Sequence, residues 1–256
     1  MNPSKVVLVL MSSVLLLLPG LSQAQAKPRS YAVMSLIGNS ISLAQYLPET
    51  GSRIEGDNRS IIEIKDTVFD NAAVLSANAT IKKMDPLAQT HLMLTQDQGL
   101  YKAQNEMFDA VDANKDNREF LKSLLKARAV THLVLITKYR GEAWLRLEES
   151  YTGHGRLEGL GFYIDDTLVT RNTKTLNTAT GIIAPFAYVK LRLIDAATLD
   201  VLNEKYVRES QVVGNANATA NGMYTWNILT GKEKIAYLQG LLAKAMDEAM
   251  PRLLGK

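Results

Sequence analysis

This chain contains no cysteine, so whatever it folds into must be held together by its hydrophobic core alone. The sequence therefore predicts neither a disulfide framework nor a lipoprotein anchor. Its length of 256 residues suffices for such a core, because a chain of this size buries well over half of the surface that its unfolded form exposes. One domain, or two small ones, can therefore be stable without disulfide bonds.

Residues 1–26 have the form of a secretory signal peptide. Lys5 precedes an apolar run over residues 6–18, and the small residue Ala26 closes the segment. The run is shorter than the ~20 residues that a membrane-spanning helix needs. We therefore expect cleavage near Ala26, a periplasmic or secreted protein, and a single mixed α/β domain over residues 27–256.

The charge of the chain is nearly balanced. It carries 29 basic and 26 acidic residues, and removal of Lys5 with the leader lowers the net charge from +3 to +2. Nucleic-acid binding needs a clustered basic face, which the sequence lacks. No second apolar run approaches ~18 residues, so no membrane span is expected in the mature chain.

The first half of the mature chain alternates strand and helix patterns. Residues 31–37 and 41–46 read as two strands, and the Gly38-Asn39 pair between them predicts a tight turn and hence an opening hairpin. A third strand is expected over residues 60–65. Helices are then predicted at the following places: after Asp66, from about Lys102 to Ala113, and from Asn117 to Arg128.

The second half contains the most apolar strand pattern of the chain and a polar, glycine-rich stretch. Residues 131–137 predict a central strand covered on both faces. Residues 153–188 read as a long hairpin or flap whose extended arms lead to a polar tip. A closing helix begins with a capping box at Thr230 and Glu233. The fold class expected is α/β: a mixed central sheet with two or three packed helices and a projecting hairpin.

The flap is the predicted interaction surface, because its polarity and glycine content do not fit a core element. Four aromatic residues lie near its base and two cations at its tip: Phe162, Tyr163, Phe186, Tyr188, Arg171 and Lys174. Alternating arms of this length are also the unit of a membrane barrel. The polar density between Thr170 and Thr180 favours a solvent-exposed flap over an inserting one.

Ser40 is the one candidate nucleophile. The segment Gly38-Asn39-Ser40-Ile41-Ser42 follows the first strand, where a Gly-Asp-Ser-Leu hydrolase would place its serine. Such an enzyme needs a histidine near an aspartate, but no aspartate lies three residues before His91, His132 or His154. A plain turn is the favoured interpretation, and no catalytic residue is assigned.

No cofactor or metal is expected. Asp112 to Asn117 matches the first half of a calcium loop, yet Ser123 stands where the closing glutamate is needed. The glycine-dense stretch from 153 to 161 leads into a strand and not a helix, which disfavours a dinucleotide site. The three scattered histidines do not make a zinc site.

The second half of the chain contains four features in a fixed order. They are the apolar segment 129–138, a Gly-rich stretch, the run Arg192-Leu193-Ile194-Asp195-Ala196-Ala197-Thr198-Leu199-Asp200-Val201, and a C-terminal amphipathic helix. This order resembles the periplasmic curli-secretion (CsgG-like) and TolB amino-terminal domain families over roughly residues 129–254. Leu199 stands where those families have glycine. The resemblance implies a similar fold.

The function expected is that of a non-enzymatic periplasmic or secreted accessory protein, which binds another envelope protein or itself. Two alternatives stay open at this point. One is a Gly-Asp-Ser-Leu type serine hydrolase built on Ser40, and the other is a periplasmic protein that binds a small ligand in the flap cleft.

Overall fold

The computed structural model describes residues 29–46, 59–64, 66–147, 150–172, 174–217 and 224–255. The predicted leader and its cleavage near Ala26 lie outside these ranges. Within them the chain is a mixed α/β protein with a ten-stranded sheet and a separate two-stranded hairpin. This confirms the fold class expected from the sequence.

Twelve strands are present in the described ranges. Their bounds are β1 (Ser30–Ser35), β2 (Ser40–Tyr46), β3 (Arg59–Glu63), β4 (Gln89–Met93), β5 (His132–Lys138), β6 (Arg140–Glu142), β7 (Leu145–Arg146), β8 (Tyr151–Thr152), β9 (Arg156–Arg171), β10 (Thr178–Asp195), β11 (Val201–Ser210) and β12 (Val213–Gly214). Only β7 and β8 stand apart from the large sheet, as the small hairpin.

The same ranges contain five α-helices. They are α1 (Val68–Met84), α2 (Gln98–Ala103), α3 (Glu106–Asp109), α4 (Lys115–Ala127) and α5 (Gly231–Leu254). The capping box predicted for the last helix is confirmed, since Thr230 Oγ1 accepts the Glu233 N–H at 3.3 Å and the Glu233 carboxylate accepts the Thr230 N–H at 2.7 Å. Short 3-10 helices at Asp112–Asn114, Asn215–Asn217 and Thr225–Ile228 complete the description.

The helix predicted from Lys102 to Ala113 is broken, because two consecutive side chains turn inward. Gln104 Oε1 accepts the backbone N–H of Lys138 at 2.8 Å. Asn105 Nδ2 donates to the Lys138 carbonyl at 2.9 Å, and Asn105 Oδ1 accepts from the Thr137 hydroxyl. These bonds tie the chain to the end of β5 at the point where α2 ends and α3 begins.

Strand β10 is the central strand of the sheet and has partners along both of its edges. Its first part, Thr178–Tyr188, pairs with β9, and its second part, Val189–Asp195, pairs with β5. Strand β11 pairs with Phe186–Ile194, a stretch that overlaps both parts. A strand has only two edges, so β9 and β5 lie end to end along one edge while β11 occupies the other.

The expected opening hairpin of β1 and β2 is wrong. β1 runs parallel to β5, and β2 runs parallel to β9. Since β5 and β9 are both antiparallel to β10, β1 and β2 point the same way. The residues between them carry the chain in the same direction past the point where β5 ends and β9 begins. Gly38 in this connection has φ +80°, a left-handed backbone conformation that favours glycine.

The long hairpin of β9 and β10 is present, but most of it belongs to the core. Buried residues run from Leu157 to Asp165 in β9 and from Gly181 to Arg192 in β10, with Glu158 the one partly exposed position among them. Only the outer part, near Arg171 and Thr178, projects with exposed side chains. The sequence interpretation of the whole segment as a flap outside the core is therefore corrected.

Helices cover both faces of the sheet. Alternate residues of β10, such as Val189 and Leu191, lie in a core with α1 and α5. The residue Ile194 lies on the opposite face, in a core with α2, α3 and α4. Phe186 and Tyr188 belong to a third buried cluster on that second face, together with Leu145 of β7.

The turn between β10 and β11 is held by the side chain of Asp195. Asp195 Oδ1 accepts the backbone N–H groups of Ala197 and Thr198 at 2.8 and 2.9 Å. Leu199 has φ +62° and is 3% exposed. Its buried side chain offsets the cost of about 1–2 kcal/mol that the left-handed backbone imposes on a non-glycine residue.

Candidate functional site

A polar cluster with a buried centre lies where β1 ends and β2 begins. We call it the polar junction and define it by five residues: Ser35, Ser40, Asp70, Tyr101 and Lys138. They come from β1, β2, α1, α2 and β5, so the junction ties most of the amino-terminal half of the sheet together.

Asp70 is the centre of the polar junction. Its carboxylate is 1% exposed, and it accepts from the Ser35 hydroxyl at 2.5 Å and the Tyr101 hydroxyl at 2.8 Å. The Gly38 N–H donates to both carboxylate oxygens at 3.1 and 3.2 Å. Burial, and after it the charge of Asp70, raise the pKa of the Tyr101 phenol above its usual range, which keeps the phenol a donor.

Ser40 and Lys138 are in contact, as the nucleophile and base of a serine–lysine hydrolase would be. Lys138 Nζ donates to Ser40 Oγ at 2.9 Å, and both side chains are partly buried. Burial lowers the pKa of Lys138, while Glu158 and Asp70 oppose that shift. In its neutral form, which a lowered pKa makes easier to reach, a lysine can remove a proton from a serine, as in serine–lysine dyads. The Gly38 N–H, two residues before Ser40, is bonded to Asp70 and is therefore not free to bind an oxyanion.

Four of the six side chains predicted to form the interaction surface lie in the core. Phe162, Phe186 and Tyr188 have no exposed surface, and Tyr163 is 2% exposed. Tyr188 also anchors the loop before β7, because its hydroxyl accepts the Trp144 N–H at 2.7 Å. These four residues cannot touch a partner unless the sheet opens, which corrects their expected placement.

The other two predicted residues, Arg171 and Lys174, are exposed at the tip of the long hairpin. The structure therefore separates the six residues into a buried base and a basic tip. Whether the tip takes part in an interaction stays a prediction. Sequence reasoning placed the aromatic residues at the surface because the neighbouring Gly159 and Gly161 resembled loop residues.

The sheet edge made of β3 and β4 is a surface that sequence reasoning missed. Each strand has only one partner in the described part of the chain, β2 for β3 and β1 for β4. Ile61 of β3 is 62% exposed and Leu92 of β4 is 42% exposed. The residues from His91 to Leu94 form a brief apolar segment of the sequence, but nothing local shows that β4 lies at an edge.

The partial calcium motif takes a helical conformation. Asp112–Asn114 forms a 3-10 helix, and α4 begins at Lys115. Across the described ranges, no three histidine, aspartate or glutamate side chains converge as metal ligands would. A membrane-crossing helix is likewise not found there, since none of the described helices is both long and apolar enough.

Comparison with known proteins assigns no family. No family model matches this chain, and no curated protein matches it. The resemblance to the CsgG-like and TolB amino-terminal domain families therefore stays a prediction.

Solved structures give distant matches. The PelC dodecamer from Paraburkholderia phytofirmans has 10% identity and a TM-score of 0.32, with 86% of each chain covered. Protein XCC0632 from Xanthomonas campestris, of family model DUF330, has 6% identity and a TM-score of 0.36, covering 90% of this chain and 88% of that one. Lipoprotein GNA1162 from Neisseria meningitidis has 10% identity and a TM-score of 0.31, covering 90% and 100%.

Proposed function

We propose that this chain is a non-enzymatic protein of the cell envelope that acts by binding protein, and that a second copy of itself is the partner. The exposed aliphatic side chains on two open edge strands carry this proposal. The envelope location rests on the leader-like residues 1–26 of the sequence.

Strand β4 lacks the usual protection of a sheet edge. Natural edge strands carry charges or proline, which prevent pairing with another chain. β4 and the residue after it read Gln89-Thr90-His91-Leu92-Met93-Leu94, with no aspartate, glutamate, lysine, arginine or proline. Leu75 of α1 and Phe120 of α4 are also exposed and line a groove with Leu92 and Leu94. An added strand would bury these apolar side chains.

Strand β3 is complementary to a second copy of itself. In an antiparallel pair centred on Ile61, Arg59 of one copy would face Glu63 of the other, and the two Ile61 side chains would meet. The meeting of the two Ile61 side chains favours this register, and Arg59, which pairs with Glu158 at 3.7 Å within its own copy, would lie opposite the second carboxylate. This arrangement favours the same chain over an unrelated partner.

Our first prediction is that the protein self-associates and that a charge on the edge prevents it. Ile61→Lys and Leu92→Lys should each weaken association about tenfold or more, because an edge lysine would have to be buried at the interface. Sedimentation velocity over a range of concentrations measures the effect. The melting temperature of the monomer should move little, since both side chains are exposed in the monomer.

Val169→Lys is the matched control, because Val169 is 67% exposed but lies on the outer part of the long hairpin. It should leave association unchanged. A wild-type protein that stays monomeric at all concentrations would contradict the proposal. Dissociation by Val169→Lys alone would instead move the interface to the hairpin, where the sequence first predicted it.

The contact between Lys138 and Ser40 favours one second candidate, a hydrolase with a serine–lysine pair. Our second prediction is that Ser40 is not a nucleophile, because the Gly38 N–H that could stabilise an oxyanion is bonded to Asp70. A fluorophosphonate probe should label wild type and Ser40→Ala equally weakly. Labelling that disappears in both Ser40→Ala and Lys138→Met would establish the hydrolase.

A further inference from the structure

A groove with a cationic half and an apolar half lies beside α5. The cationic half is a cleft of about 510 Å³ whose basic lining residues are Arg146 of β7, Arg171 at the end of β9 and Lys244 of α5. The apolar half is an adjoining cleft of about 530 Å³, lined by residues of α5 that include Tyr237 and Gly240. The two clefts share Gln211, Leu241 and Lys244, so they form one groove.

The cationic half has unused capacity to bind an anion. Arg146 and Arg171 are exposed, and neither forms an ion pair with a carboxylate of the described residues. Lys244 Nζ contacts the buried Glu209 carboxylate at 2.7 Å, which uses one of its three protons. The remaining donors come from three different elements and converge on one cleft, and guanidinium groups bind oxyanions with paired hydrogen bonds.

The apolar half has room for a hydrocarbon chain because a glycine lies in the middle of α5. A Cβ added at Gly240 would meet nothing within 4 Å, so the helix surface there is open. Glycine in the middle of a helix costs about 1 kcal/mol relative to alanine, and no packing contact at Gly240 requires it. Glu233, the one acid among the lining residues of this half, is held at the helix start by its bond to the Thr230 N–H.

We propose that this groove binds one molecule of a single-chain anionic amphiphile, with its phosphate or carboxylate head at Arg146, Arg171 and Lys244 and its alkyl chain along Tyr237, Gly240 and Leu241. Along the groove the lining changes from three basic side chains to a half in which Ala236, Tyr237, Gly240 and Leu241 provide the apolar surface. This change matches the two ends of such a ligand and neither a free anion nor a neutral lipid. This inference is independent of the self-association proposed above.

Titration calorimetry with decyl phosphate below its micellar concentration tests the proposal on the full mature chain. We expect saturable binding of one molecule, with octyl phosphate roughly fifteenfold weaker, since it lacks two methylenes and each buried methylene changes affinity about fourfold. Inorganic phosphate and decyltrimethylammonium should show no saturable binding. Arg146→Gln and Arg171→Gln should each weaken decyl phosphate about tenfold, whereas Arg252→Gln, on α5 but outside the groove, should not.

The apolar half has its own pair of variants. Gly240→Leu fills the open space and should reduce decyl phosphate binding by tenfold or more, while Gly231→Leu, also in open space on α5 but not among the lining residues, should leave it unchanged. Thermal unfolding of both variants distinguishes a loss of binding from a loss of folding. The proposal is overturned if affinity does not depend on chain length, if inorganic phosphate binds equally well, or if only vesicles of anionic phospholipid capture the protein.

Discussion

Gly161→Ala is expected to prevent formation of the native sheet. A Cβ at Gly161 would lie 2.0 Å from the backbone carbonyl oxygen of Ser42 and 2.6 Å from Cζ of Phe186. Ser42 and Gly161 are direct partners in the parallel pair of β2 and β9, so the clash can be relieved only by separating these two strands. We expect a loss of about 4 kcal/mol or more, which is comparable to the whole stability of many domains. Urea unfolding followed by circular dichroism measures it.

The expected effect of Gly161→Ala is steric and not conformational, because Gly161 is not among the glycines with positive φ. Gly231→Ala is the matched control, since a Cβ there meets nothing within 4 Å. It should unfold at the wild-type urea concentration or slightly above it. A Gly161→Ala protein with the wild-type midpoint would show that β2 and β9 do not approach each other as closely as the structure has them.

The elements that sequence reasoning identified are those whose signal is local. The run from His132 to Thr137 is apolar and rich in β-branched residues, and β5 is indeed buried between β1 and β10. The capping box at Thr230 marks the start of α5 to the residue, because both of its hydrogen bonds span only three positions. Patterns of this kind depend on near neighbours and so can be read from the chain.

The misplaced elements depend on partners far along the chain. The Gly38-Asn39 pair signals a change of backbone direction, but only the pairing of β1 with β5, about a hundred residues later, decides that the chain continues onward. Gly159 and Gly161 have the local pattern of loop glycines, because the strands that pack against them also lie far away in the sequence. At Gly161 the glycine is required by the approach of Ser42, which no local pattern reveals.

The polar junction could not be predicted for a related reason. Ser40 and Lys138 are separated by 98 positions, and Asp70 lies 35 positions from Ser35. Sequence reasoning weighed Ser40 against a histidine base because that partner is known from hydrolases, and lysine was not considered. The contact exists because β1 continues into β2 past the end of β5, a property of the topology and not of any motif.

Asp70→Ala should also strongly destabilise the fold. It would leave the Ser35 hydroxyl and the Gly38 N–H without their acceptor, while the Tyr101 hydroxyl would keep only its bond to the Thr95 carbonyl. Each unsatisfied buried donor costs about 1–3 kcal/mol, so we expect a total loss of about 3–5 kcal/mol. Urea unfolding of Asp70→Ala against wild type measures this loss.

Two further variants separate a structural role of Asp70 from a catalytic one. Tyr101→Phe removes one of the donors and should cost only about 1 kcal/mol, because the carboxylate keeps its other bonds. Ser40→Ala should cost a similar amount, since Ser40 contacts Lys138 and not Asp70. If Asp70→Ala is as stable as Ser40→Ala, the carboxylate does not hold the polar junction together. Its burial beside a serine–lysine pair would then favour the hydrolase over a purely structural cluster.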